Sequence, residues 1–405
     1  MRHPLLPAIV AVTAFFALYL PSSVGGVISR PLSILSIGGT CVLLALAALA
    51  GRRQTPALLA AAALAVITVP TLFTITSPFE QTSAGVVMLY VAQTLLFMVD
   101  LRGVRSRLVV TAFSVITAIS LALGYALVAN ASPADRAMLQ WYAAFYPELI
   151  SNMVGIDDKP VLTFATHSMA GFMIYLFFYL HWRAWLTGGG PWRVGAAAGL
   201  FGLLLLLRST TGQAFAVIAA LQVAMHVWQA ATRLRPLMMV AGSLAVIAGA
   251  AVAGIDPGDV VDRVRDAVVG DRIRGLFSRY AADGLLASNM RYLSESPLRP
   301  IGFGATDSLY LGDSGLIVNL LRGSVPLLLA VYGGLWLFLR RNLSDSRAAT
   351  WIWACTVLFE IGFTPLQYFR FVGVLPLLVV FLNSTAGASG LDATHARDNI
   401  SRIPA

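Results

Sequence analysis

Lysine is almost absent from this chain: Lys159 is the single one in 405 residues, and the rest of the positive charge behind the formal +9 is arginine. Charge of either sign is scarce, at 12% of residues, where a soluble domain carries about 25%. Hydrophobic residues make up 58% of the chain and the mean hydropathy is +0.78. That excludes an ordinary water-soluble fold and points to a polytopic membrane protein. Its spans must be α-helices of about 20 residues, because lipid offers the backbone no hydrogen-bond partners. Cysteine is nearly missing too. Cys41 and Cys355 both fall in apolar segments, so no disulfide framework is expected. There is no glycine-lysine phosphate loop, no paired Cys/His metal spacing, no aspartate-rich pair suited to a metal-bound nucleotide sugar and no GxSxG elbow. No aromatic-basic module supports nucleic-acid binding. Neither a metal nor an organic cofactor is expected, and the chemistry left open is that of arginine.

What is present is a series of apolar runs with charged punctuation. They predict an all-α fold with about twelve transmembrane helices, near 4–22, 31–51, 56–74, 83–100, 107–130, 163–182, 192–207, 210–229, 235–254, 315–339, 349–367 and 370–385. The first has a basic start but no small-residue cleavage site, and reads as a retained span. The short loops "GRRQT", "DLRGVRSR", "HWRAWLTGGGPWR", "ATRLRP" and "LRRNLSDSR" hold twelve arginines, and they alternate with a second set of loops whose short members, 23–30 and 75–82, hold only Arg30 and none. Arginine collects on the cytoplasmic side. This puts both termini inside and the loops 131–162 and 255–314 outside; in a bacterium, whose inner membrane the protein would then span, that outer side is the periplasm. Residues 1–405 then form one integral membrane domain, with 131–162 as a periplasmic loop and 255–314 as the large one. No internal repeat is evident.

The large loop has a pattern of its own. "DPGDVVDRVRDAVVGDRIRGLFSRY" sets Val261, Val264, Val268, Ile273, Leu276 and Phe277 near one helical face, as in an amphipathic helix on a membrane surface. "DGLLASNMRYLSES" predicts a second short helix ended by Pro297 and Pro300, and "IGFGATDS" a glycine turn back toward the membrane.

A few polar residues stand out against this background. Arg208 closes the seventh span in "LLLLLRSTTGQAF"; it is either a snorkelling anchor or a basic anion site. His167, in "FATHSMAGF", is the only histidine expected on the outer side; it is either a packed hydrogen-bonding residue or a general base. Arg279, Arg291 and Arg299 are candidates for holding phosphate, since the planar guanidinium donates two parallel hydrogen bonds and stays charged; the alternative is a solvated loop surface. Asp307 and Asp313 are candidates for helix caps, and Asp313 also for a catalytic role. Glu360, in "CTVLFEIGF", is an acid inside an apolar segment, with Arg322 or Arg370 as a partner or a polar cavity around it.

The layout resembles the bacterial O-antigen polymerase and O-antigen ligase superfamily, integral-membrane glycosyltransferases of the GT-C type. Arg291 and Gly302 enclose ten residues, similar to the arginine-to-glycine spacing in the large loop of such polymerases. "SPLRPIGFG", "LRSTTGQAFAV" and "LYLGDSGLIVNLLRGSVPLLL" look like other recurrent segments of the superfamily. Ligases usually carry a histidine near the end of that loop; here Asp313 and Ser314 stand there and 255–314 holds no histidine, which favours a polymerase. The resemblance implies joining of undecaprenyl-pyrophosphate-linked glycans at the periplasmic face, for O-antigen, capsule or exopolysaccharide. Membrane lipid surrounds the protein, and a flippase and a chain-length regulator of the same pathway are the expected partners. It implies pyrophosphate binding by Arg208, Arg279, Arg291 and Arg299, with His167 or Asp313 as base. An O-antigen ligase and a lipid-linked oligosaccharide transporter are the alternatives.

Overall fold

A computed structural model gives the structure of the protein. It describes residues 30–50, 54–79, 81–128, 140, 162, 164, 166–207, 209–230, 278–281, 283–297, 299–305 and 308–386. The helices are α1 (Arg30–Ala50), α2 (Ala57–Ile75), α3 (Ala84–Met98), α4 (Arg107–Val128), α5 (His167–Leu186), α6 (Trp192–Leu206), α7 (Thr210–Ala230), α8 (Ala287–Glu295), α9 (Gly315–Asn342), α10 (Ser346–Glu360) and α11 (Phe369–Ala386). A 3₁₀ turn, Pro365–Gln367, precedes α11. Each predicted apolar segment that falls on described residues overlaps one of these helices, though 349–367 is helical only as far as Glu360. The segments 4–22 and 235–254, the amphipathic stretch before Ser278 and nearly all of 131–162 lie outside the described residues.

By length and composition α2, α4, α9 and α11 can cross a membrane, consistent with a membrane protein. Only 22% of the most apolar window of α2 is buried, and Leu58, Leu64, Leu72 and Ile75 stand exposed along it. In water such a face is a large apolar patch; against lipid tails it costs nothing.

Local chemistry explains where the helices start. Ser83, Thr166 and Ser314 each accept a hydrogen bond from the backbone N–H three residues on. Asp345 accepts from Arg347 and Ala348. These side-chain oxygens satisfy donors that a helix leaves without an internal partner.

The chain divides into two compact units. One comprises residues 1–113 and 278–405, the other 114–277. In the second unit α5 packs on α6 and α7. His181, on α5, is fully buried and meets Thr117 Oγ1 at 2.9 Å. In the first unit α9 lies against α2 and α10, while α3 packs on α1, α2 and α11.

One end of this unit is laced by polar groups. Arg341 donates to Asp100 (3.0 Å) and to the Gln54 carbonyl (3.2 Å). Asn342 accepts from Leu101 N (2.6 Å), and Asn383 donates to the Asn342 carbonyl (2.8 Å). Burial pushes the Asp100 carboxyl up, but hydrogen bonds from Arg102 and the charges of Arg341 and Arg102 outweigh it and hold the group below its ordinary value. The segment 278–314 folds over the other end.

Candidate functional site

The segment 278–314 is fastened to the helices by a small core of its own. Leu286, Ile301, Leu309, Ile317 and Leu321 are buried together, with Phe79, Tyr280 and Tyr292 packed against them. Asn289, on α8, is fully buried; its amide donates to the Tyr310 carbonyl and accepts from Tyr310 N. The polar side chain thereby clamps a stretch of backbone that has no strand or helix partner.

The glycine turn docks on the connection between α2 and α3. Thr82 and Gly304 form an isolated antiparallel bridge, flanked by Ser83 N to Phe303 O (3.1 Å) and Ala305 N to Gln81 O (2.7 Å). Gly302 has φ +57°, and a Cβ there would stand 2.6 Å from Pro70 O and closer still to Thr74 N. Only glycine fits, on conformation and on space. From inside the unit the buried Arg322 of α9 donates to the carbonyls of Gly302 (2.9 Å) and Gly304 (3.3 Å). The sequence singles out Gly302 as half of a motif. Its role in the fold is this close approach.

At the other edge of the segment, four successive carbonyls, that of the last residue of α10 and the three that follow, are all taken. Ser314 Oγ donates to Glu360 O (3.4 Å), the Tyr280 hydroxyl to Ile361 O, Arg279 to Gly362 O (3.3 Å) and Gly315 N to Phe363 O (3.0 Å). A helix leaves its last carbonyls without internal partners and presents partial negative charge there. Here the Ser314 hydroxyl meets that demand at Glu360, and a second hydroxyl, a cation and a backbone N–H serve the three carbonyls that follow.

Two candidate residues come together at this junction. Arg279 NH1 lies 3.0 Å from Asp313 Oδ2, with the side chains 39% and 23% exposed. Burial raises the Asp313 carboxyl above its ordinary value, and the Arg279 guanidinium opposes it. Among the described residues both of Arg279's bonds use NH1, which leaves Nε and NH2 to meet an anion. Asp313 holds a left-handed φ of 55°. It is Ser314, not Asp313, that caps α9, so the Asp313 carboxylate is not spent on the helix.

Arg291, on α8, and Arg299, after it, are exposed, and neither forms an ion pair among the described residues. His167 opens α5 in the second unit, half-buried behind its Thr166 cap. Arg208 and Asp307 lie outside the described residues. Among the described residues, no three His, Cys, Asp or Glu side chains gather as metal ligands.

Glu360 is fully buried. Its carboxylate accepts from the Tyr332 hydroxyl (2.7 Å) and from Leu366 N (2.8 Å); neither Arg322 nor Arg370 makes an ion pair with it. Sequence reasoning missed Tyr280, Ser314, Asn319 and Tyr332. A signal for Ser314 was available, because Ser-Gly at the head of an apolar run is a helix start. None marked the others.

No protein-family model, no curated protein and no solved structure matches the chain.

Proposed function

We propose that the chain is a polysaccharide polymerase of the bacterial inner membrane, with both termini cytoplasmic. It joins oligosaccharide repeat units carried on undecaprenyl pyrophosphate at the periplasmic face. The observation that carries this reading is the Arg279–Asp313 pair, where an uncapped carboxylate and a partly open guanidinium share the surface of an arginine-bearing segment.

In this reading the hydroxyl oxygen of an incoming unit attacks the anomeric carbon of the growing chain, and its proton passes to Asp313. The bond from that carbon to the phosphate oxygen breaks, and undecaprenyl pyrophosphate leaves with the electron pair. A base is most useful when its pKa lies near the working pH, and burial moves Asp313 in that direction. Arg279, Arg291 and Arg299 supply positive charge where the leaving group gathers negative charge.

Purified protein incubated with lipid-linked repeat units tests this. Lengthening glycans are expected, and Arg291→Ala should slow them about tenfold to a hundredfold, the effect of removing one charge-assisted hydrogen bond from the transition state. Arg291→Lys should recover little, because an ammonium cannot reproduce the guanidinium fork. Transfer to lipid A would replace this reading by a ligase, and translocation without bond formation by a transporter.

A further inference from the structure

We propose that Glu360 is a positioning residue for Asp313: its carboxylate, set against the first residue of α9, fixes the backbone that aims Asp313. This rests on the reading of Asp313 as the base.

The first support is a hydrogen-bond chain whose direction the geometry determines. Asn319 Nδ2 lies 2.9 Å from the Gly315 carbonyl. A carbonyl only accepts, so that atom is the amide nitrogen, and Oδ1 is the acceptor for Tyr90 (2.8 Å). Tyr90 therefore receives the amide of Gln367 (3.2 Å). Asn319 Nδ2 also donates to the Tyr332 hydroxyl (3.2 Å), which leaves Tyr332 to donate to Glu360 Oε2 (2.7 Å). Every donor from Gln367 through Tyr90, Asn319 and Tyr332 points toward Glu360, and Leu366 N serves the other oxygen (2.8 Å). Among the described residues Glu360 thus meets two donors and no acceptor, and an amide in its place would have hydrogens with no acceptor there.

The second support is location. Glu360 ends α10, where a carboxylate is unfavourable, yet its side chain reaches the N-terminus of α9, where negative charge is favoured. A Cβ on Gly315 would collide with Glu360 Oε2, so the carboxylate rests directly on the Gly315 backbone. Asp313 is two residues away, in a left-handed conformation, and the intervening Ser314 is fully buried and bound to the Glu360 carbonyl. Moving the carboxylate moves that short stretch of backbone.

The test has two arms. In a chain with Cys41→Ala, Cys355→Ala and Asp313→Cys, the rate of modification by a maleimide reagent in detergent reports how firmly position 313 is held. Glu360→Gln should raise that rate severalfold and leave a cysteine at the exposed Leu285 unchanged. Equal rates at 313 would overturn the proposal. In the second arm, with Asp313 intact, Glu360→Gln should cut polymer turnover tenfold or more at unchanged KM, and Glu360→Asp should restore part of it. Full turnover, or a change confined to KM, would overturn it. If Glu360→Gln does not accumulate, Tyr332→Phe breaks the same chain one bond earlier, and the same two outcomes decide. A wild-type chain that makes no polymer while the labelling rates still differ would sink the polymerase reading and leave the positioning role standing.

Discussion

At the scale of single residues, Asp313 offers the most direct test, because two opposing influences act on one carboxyl. Burial raises its pKa and Arg279 pulls it back. A base must be ionised to work, so activity should fall as pH drops through the Asp313 pKa, at a higher pH than for a free aspartate. Arg279→Ala removes the opposing influence, and the acid limb of the pH–rate profile should move to higher pH, whatever happens to the maximum rate. A limb that stays put or moves down would take Asp313 out of the reaction. Gly302 gives a stability test. Gly302→Ala brings a methyl against backbone atoms of Pro70 and Thr74, which cannot swing aside. Thermal unfolding in detergent should show a loss of roughly 1–3 kcal/mol. The spacing from Arg291 draws attention to Gly302, but its partner cannot be read from the sequence, since Phe303 and Thr74 meet across 229 positions.

At the scale of elements, helix positions were largely legible. Apolar runs bounded by Ser or Thr place α3, α5 and α9 within a few residues, because caps and burial act locally. What the sequence hid is how the helices break. The expected segment 315–339 is a helix from Gly315 to Asn342, interrupted at Gly323 and Ser324, where φ and ψ are non-helical. The expected segment 349–367 ends as a helix at Glu360 and resumes as a 3₁₀ turn at Pro365. The carbonyls from Glu360 to Phe363 are then taken by the 278–315 segment, a pairing no local rule reveals. Ser324 sits at φ 55°, ψ −158°, a region natural only to glycine. Ser324→Gly should therefore stabilise the protein by about 1 kcal/mol, raising the detergent unfolding temperature by a few degrees. No change or a drop would mean that the serine side chain has a role that outweighs its strained backbone.

At the scale of the whole molecule, the arrangement of charge within the first unit carries the orientation argument. Asp100, Arg102, Arg341 and Asn342 gather at one end, with Arg340 stacked on Trp336 nearby. The 278–314 segment, bearing Arg279, Arg291 and Arg299, covers the other. Short loops obey the positive-inside bias, while long loops cross regardless of their charge. The arginines of the long segment therefore do not compete with those of the short loops, and the bias predicts that the first end faces the cytoplasm. A cysteine at Leu285, which is 49% exposed, should react with an impermeant thiol reagent added outside intact cells, in a chain lacking Cys41 and Cys355. One at Val104, beside Arg102 and Arg105, should react only after the membrane is opened. The reverse pattern would place the Arg279–Asp313 pair in the cytoplasm. There it would face nucleotide-activated sugars and not finished lipid-linked repeat units, and the polymerase reading would fail for want of substrate even if every contact at the site were correct.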